Sequence, residues 1–239
     1  MPALMNLSET IQNRRLTFGV WSDFDAFVTG DEFTDTSADT GAAVANTDAA
    51  GGVVTLTTGA TDNNECYLLS TKELFLIAND KPILAVCRLK YSEANTDDAN
   101  VAFGLMNAVA ANSIVDDGGG LQASYSGAAF FKLDGALNWK VESSLATTRT
   151  GTAELTALNS TDKVAHAAAS TAYQWLEIEI IPFSTTQAKA NFFIDEVLVQ
   201  SITFTYTSAT EMMVFVGVKA GGANSEVVSV DFLGAWQKR

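Results

Sequence analysis

Histidine is nearly missing from this sequence, and His166 stands alone. A serine or cysteine triad needs an imidazole base beside its nucleophile, and no nucleophile motif lies near Lys163-Val164-Ala165-His166-Ala167-Ala168. One histidine cannot complete a zinc site without a cluster of further ligands. An exposed loop or edge position is the expectation for it. The two cysteines, Cys66 and Cys87, sit in strand-like runs without CxxC spacing. They read as buried, reduced thiols, with a single disulfide between neighbouring strands left open. With only three prolines there is no proline-rich linker to mark a domain boundary. No apolar run approaches the ~18 residues of a membrane helix. The first residues lack the basic and apolar regions of a signal peptide, so the expectation is a soluble protein made in the cytoplasm, with no membrane partner.

Basic residues are scarce as well: 14 Lys and Arg stand against 28 Asp and Glu, a net charge of −14. Phosphate binding needs clustered Lys and Arg, so nucleic acid is excluded as a partner. The charge is unevenly placed. Between Leu16 and Thr71 there are nine acids, Asp23, Asp25, Asp31, Glu32, Asp35, Asp39, Asp48, Asp62 and Glu65, and no Lys or Arg. Such a stretch reads as a solvated acidic loop region, as a face for a basic partner, or as a Ca²⁺ site built from loop oxygens. Asp23-Phe24-Asp25 has the D-x-D form, but the rest of an EF-hand loop is missing. No cofactor is expected beyond that open Ca²⁺ reading, and no metal ligand can be named.

What the chain has in quantity is strand-forming sequence. Val53-Val54-Thr55-Leu56-Thr57-Thr58 is β-branched and bounded by Gly51-Gly52 and Gly59. In 82–92, Ile83, Ala85, Cys87, Leu89 and Tyr91 share one face; Leu84 and Val86 begin the other before Arg88 and Lys90 take it into solvent. Val101–Met106 and Ala128–Leu133 read as interior strands, separated by a loop at Asp116-Asp117-Gly118-Gly119-Gly120. From Trp175, Leu176, Ile178 and Ile180 face one way while Glu177 and Glu179 face the other. Asp195-Glu196 marks a tight turn, and further strands follow to Trp236. About a dozen strands with regular turn signals are the pattern of an antiparallel β-sandwich or barrel, and roughly 200–250 residues is ordinary for one such domain. Residues 30–50 read as a long loop. Residues 1–18 differ from the rest: Ser8, Glu9 and Ile11 give an incomplete helix start, so an N-terminal arm or short helix is expected there, with a single sandwich domain over 19–239.

Trp175-Leu176-Glu177-Ile178-Glu179-Ile180, then Ala190-Asn191-Phe192-Phe193-Ile194-Asp195 and Val197-Leu198-Val199, resemble the hairpin of a concanavalin A-like or laminin G-like jelly roll. The ending Val230-Asp231-Phe232-Leu233-Gly234-Ala235-Trp236-Gln237 resembles the strand that closes such a sheet. The resemblance covers about residues 50–239 and implies an all-β, concanavalin A-like jelly-roll sandwich. In hydrolases of that superfamily an E-x-D-x-x-E strand supplies the carboxylates that glycoside cleavage needs. Here the matching stretch, Glu177-Ile178-Glu179-Ile180-Ile181-Pro182, lacks the Asp and the third acid. No catalytic residue is therefore expected.

In style the Thr-, Ala- and Gly-rich sequence, with its Met-Pro-Ala start and terminal Trp-Gln-Lys-Arg, is similar to structural proteins of tailed bacteriophages, the capsid decoration or cement proteins above all. That similarity implies a virion location, binding to the major capsid protein, and self-association, as a trimer at sites where shell subunits meet. The candidate contacts are Leu4, Leu7, Ile11, Arg14 and Arg15 of the arm, with Asp31, Glu32, Asp35 and Asp39 of the acidic loop. The alternative is a carbohydrate-binding module of a tail fibre or surface protein. Its sugar-stacking candidates are Trp21, Tyr125 and Trp139, drawn from a set that also includes Trp175 and Trp236. Aromatics at strand positions serve as often as core or interface anchors.

Overall fold

A computed structural model describes residues 16–36, 39–93, 98–151, 153–168 and 172–239. Among them every regular element is a β-strand. In chain order these are β1 (Thr17–Ser22), β2 (Phe33–Thr36), β3 (Ala43–Thr47), β4 (Val53–Thr57), β5 (Glu65–Ser70) and β6 (Phe75–Leu76). Next come β7 (Ile83–Ser92), β8 (Ala99–Met106), β9 (Ile114–Val115), β10 (Gly120–Leu121), β11 (Gly127–Lys132) and β12 (Lys140–Leu145). The last six are β13 (Thr148–Gly151), β14 (Gln174–Pro182), β15 (Gln187–Ile194), β16 (Val197–Thr205), β17 (Glu211–Ala220) and β18 (Val227–Lys238).

Two sheets hold most of the chain. The first has the order β16-β15-β14-β7-β18-β4-β3, with β1 also on β18; the second runs β13-β12-β11-β8-β17-β5-β2, with β6 also on β17. All pairs within them are antiparallel. The expected antiparallel sandwich is thus the observed fold. The expected long loop over 30–50 is interrupted, because β2 and β3 form there as edge strands of opposite sheets. Their Thr, Ala and Asp content conceals them, since an edge strand needs only one partner and little burial. The region where an N-terminal helix was expected lies outside the described residues.

Period-two alternation builds the core. Ile83, Ala85, Cys87 and Leu89 of β7 meet Leu176, Ile178 and Ile180 of β14 on the inner side of the first sheet, and Val101, Phe103 and Leu105 of β8 face them from the second. At the centre Phe130 of β11 packs edge-on against Phe192 of β15, 5.2 Å between centroids and 90° between planes. Trp139 closes on the same ring at 6.1 Å, and its Nε1 donates to Gln174 Oε1 at 2.9 Å. Cys66 and Cys87 are free, buried, and on different sheets. Burial first, then Asp35 and Glu65, pushes the Cys66 thiol up to about 12, so it packs as a hydrophobe.

Two local features set the register. Ile194 pairs with Val197 across a two-residue turn, and both Asp195 and Glu196 have positive φ, 48° and 69°. That is the hand of turn that matches strand twist in a tight hairpin. In β18 the ladder to β7 slips: Val230 pairs with Leu89 and Phe232 with Arg88, leaving Asp231 as a bulge. Inner residues are Val228 and Val230 before it, and Leu233 and Ala235 after it.

Phe192→Ala removes the ring that joins the two sheets at their centre, and should cost about 3–5 kcal/mol. Urea titration should show a lower midpoint at unchanged slope; a loss under about 1 kcal/mol would mean that the sheets close over the void.

Candidate functional site

The two sheets treat their outer faces differently. On the second sheet, alternation places Tyr67, Leu69, Ala102, Met106, Ala129, Phe131, Met213 and Phe215 outward, yet the segment 107–126 folds over them and buries them in a second apolar cluster. Buried polar contacts hold that segment down. Tyr67 Oη donates to Glu65 Oε2 at 2.6 Å and accepts from the Ile114 N–H at 2.9 Å. The Asn112 N–H donates to Glu65 Oε1 at 2.7 Å. Lys219, fully buried, reaches Glu65, Asn112 and the Asp116 carboxylate. At the other end Tyr125 Oη donates to Glu142 at 2.9 Å, and Arg149 pairs with the same carboxylate at 2.7 Å. Burial, then the neighbouring Glu65 or Glu142, raises the pKa of both Tyr67 and Tyr125. These carboxylates are engaged in structure.

Among the described residues no segment folds over the outer face of the first sheet, whose aromatic rings cover Leu84 and Val86 themselves. The bulge at Asp231 turns Phe232, Gly234 and Trp236 outward. Trp21 of β1 pairs across Gly234, and Gly19 across Trp236. The two glycines and two indoles are reciprocal: a Cβ on Gly234 would meet Trp21 Cβ at 2.7 Å and Trp236 Cη2 at 2.9 Å, and one on Gly19 would meet Trp236 Cδ1 at 2.5 Å. Trp236 therefore lies along the sheet over the backbone of Gly19 and Gly234, and packs with Leu84 and Val86 of β7 in a small buried cluster that Phe232 borders. Phe232 is near-parallel to both indoles, 6.1 Å from Trp236 at 16° and 6.3 Å from Trp21 at 21°. Trp175 leans in from β14 to 5.7 Å from Phe232. Trp236 is buried, but Trp21 is 49% and Trp175 39% exposed.

Polar groups border this strip. Arg88, opposite both Phe232 and Trp175 in the ladders, pairs with the bulge carboxylate of Asp231. Its guanidinium lies 4.5 Å from the Tyr173 ring, and Lys90 Nζ lies 4.8 Å from the same ring. Glu177 follows Trp175 on the same face; burial, then Glu196 and Glu179, raises its pKa. Beside Trp21 a hollow of about 460 Å³ is lined by Phe18, Glu32, Trp236 and Arg239.

Of the sugar-stacking candidates, only Trp21 is at the surface. Tyr125 and Trp139 are 1% and 0% exposed, because one is turned inward by the segment 107–126 to which it belongs and the other fills the core, so neither can stack a ligand. Asp31 and Glu32 are exposed; Asp35 lies in β2, and Asp39 Oδ2 accepts from the Glu65 N–H at 2.7 Å. Leu4, Leu7, Ile11, Arg14 and Arg15 lie outside the described residues. His166 is in a loop but mostly covered, since its Nε2 is 2.9 Å from Asp162 Oδ1 and its ring is 11% exposed. Glu179 shares the outer face with Glu177, yet is buried by a 3.0 Å hydrogen bond from Asn191. Asp23, Asp25 and Asp48 line one hollow with Asn46; among the described residues no three His, Cys, Asp or Glu side chains are placed to hold a metal ion. Sequence reasoning missed Phe232 and Arg88. The signal was the break in period two between Val230 and Leu233, which moves Phe232 off the core face.

No family model matches the chain, and no curated protein matches it. Solved structures do. A protein of unknown function from Shewanella oneidensis MR-1 aligns over 100% of this chain and 96% of its own, at TM-score 0.59 and 14% identity. The endo-β-1,4-glucuronan lyase of the fungus Trichoderma reesei aligns over 91% and 94%, at 0.60 and 10%. Peanut lectin aligns over 92% and 97%, at 0.56 and 10%. The fold is the lectin-like jelly roll. At these identities the likeness shows the fold alone, and it embraces both a lectin and a lyase.

Two substitutions test the closed and open faces. Lys219→Ala leaves Glu65 buried without its cation and should cost about 3–5 kcal/mol. Limited proteolysis should then cut first within 107–126; cutting that begins elsewhere would detach this ion cluster from the segment. Glu177→Gln should raise the melting temperature at neutral pH. A raised folded-state pKa means the native protein binds this proton more tightly than the unfolded chain, so stability rises as pH falls through that pKa. The gain from Gln should therefore vanish in acid; calorimetry that finds it undiminished there would refute the assignment.

Proposed function

We propose that this chain is a non-enzymatic binding protein, and that its setting is a tailed-phage virion, where it decorates the shell by binding across subunits of the major capsid protein. The observation that carries the binding role is the asymmetry of the two outer faces. One is sealed by the chain's own segment 107–126 over the buried Lys219–Glu65 pair. The other leaves two tryptophans partly exposed, one of them over a glycine of the neighbouring strand. Exposed aromatics grouped this way mark interaction surfaces in soluble proteins. The capsid setting is supported by the sequence resemblance and by the acid-rich stretch, whose Asp31 and Glu32 are exposed for a basic partner. A ligand selective for the assembled shell stabilises it by linkage.

Carbohydrate binding is the second reading, favoured by the pairing of Trp21 and Trp175 with hydrogen-bonding groups at the strip's borders. Peanut lectin has the same fold.

The capsid reading is tested by removing residues 1–15. The shortened chain should keep its sandwich, seen as an unchanged melting temperature, and lose cosedimentation with empty shells. The intact chain should have a solution mass of about three times 25.4 kDa. Full shell binding by the shortened chain would end the arm's assignment, and a monomer by light scattering the trimer's.

A further inference from the structure

We propose that the outer face of the first sheet is a binding site for an extended, neutral polysaccharide, its sugar rings stacked on Trp21, Phe232 and Trp175. The inference rests on the carbohydrate-binding reading and gives it a place and a ligand class.

Three observations converge on that class. The first is shape. Gly19 and Gly234 lower the sheet's floor where the indole of Trp236 lies, and the near-parallel ring of Phe232 continues the surface towards Trp175. The centroid spacings of 5.7–6.3 Å between Phe232 and its flanking rings are comparable to the length of one pyranose unit, and Trp175 is tilted by 52° to Phe232, so successive sugars of an extended chain that twists from unit to unit meet successive rings. A pyranose with equatorial hydroxyls presents an apolar face to such rings and its hydroxyls to the sides.

The second is charge. The chain carries −14, and the two cations bordering the strip are engaged: Arg88 pairs with Asp231 and lies with Lys90 against the Tyr173 ring, while Glu177, Glu179, Asp195 and Glu196 gather beside Trp175. Glu32 and Arg239 balance in the adjoining hollow. A border with its cations engaged and acids in excess, on a strongly acidic protein, offers an anionic polymer no net attraction, which leaves uncharged hydroxyl-bearing chains as the ligand that rings and hydrogen-bonding groups can hold. The third is the polar pattern. The Arg88–Asp231 pair sets a donor and an acceptor side by side at the edge of Phe232, the arrangement that two neighbouring hydroxyls of one sugar satisfy together.

The site lies on the sheet that contains β1 and β18, away from the face that 107–126 covers. Ligand is therefore bound on strand positions rather than by loops, which holds the rings in place before it arrives.

Affinity electrophoresis of the full chain through gels of hydroxyethylcellulose, mixed-linkage β-glucan or galactomannan tests this directly. At least one polymer should slow the protein, and the effect should persist in high salt, since no charge is paired with the ligand. Trp21→Ala and Trp175→Ala should each weaken retardation on the order of tenfold, the scale of losing one central aromatic contact. Leu137→Ala, an exposed apolar residue outside the strip, should leave it unchanged. Trp21→Phe keeps a ring and should retain most of the binding, which separates stacking from misfolding. Retardation that survives both tryptophan changes overturns this site while the carbohydrate reading stands. No retardation by any of the three polymers overturns both. A fall in solution mass on Trp21→Ala would assign the strip to self-association and overturn the proposal.

Discussion

One extra residue in one strand decides what this protein shows to its surroundings. In a sheet a slip of a single position sends every later side chain to the opposite face. Asp231 is that slip in β18. Without it, the inward series begun by Val228 and Val230 would continue with Phe232, Gly234 and Trp236, and Leu233 and Ala235 would be outside. With it, small and branched residues fill the inner layer and the aromatic series lies outside over Gly19 and Gly234. The displaced residue is itself used: its carboxylate holds Arg88, the ladder partner of Phe232. Backbone irregularity, ion pair and aromatic strip are one device.

The opposite sheet solves the reverse problem. Its outward residues are as apolar, but it has a long segment to place over them. Covering them buries Glu65, Glu142, Lys219, Tyr67 and Tyr125, groups that are costly inside unless fully partnered. They are partnered with one another and with the N–H groups of Asn112 and Ile114. Charged chemistry in this fold is thus spent on closing a face. The open face relies on rings bordered by the Arg88–Asp231 pair.

Much of the fold was legible because alternation over β7, β14 and β15 states both strand and facing directly. The antiparallel sandwich follows from such runs, and the Asp195-Glu196 turn from its place between them. What alternation cannot state is which of two apolar faces receives a cover. Tyr125 and Trp139 have the composition of a sugar platform and lie inside, because the fate of Tyr125 is set by the path of 107–126 and that of Trp139 by its distant partner Phe130. Trp21 was legible as an aromatic, but its setting depends on Gly234, more than two hundred positions later. β2 and β3 were hidden for a related reason: an edge strand is specified by its neighbour more than by its own residues.

The place of β18 also carries a consequence for how the molecule is made. It lies between β7 on one side and β4 and β1 on the other, and of all the strands described it leaves the ribosome last. Until then the first sheet exists as three parts, β16-β15-β14-β7, β4-β3 and β1, while β8, β11 and β12 of the second sheet are already synthesised in order. Assembly of the sandwich is therefore a late event governed by long-range contacts, the kind that forms slowly and exposes strand edges in the interval. Translation can stall almost anywhere in this chain and leave a sheet that is missing its middle.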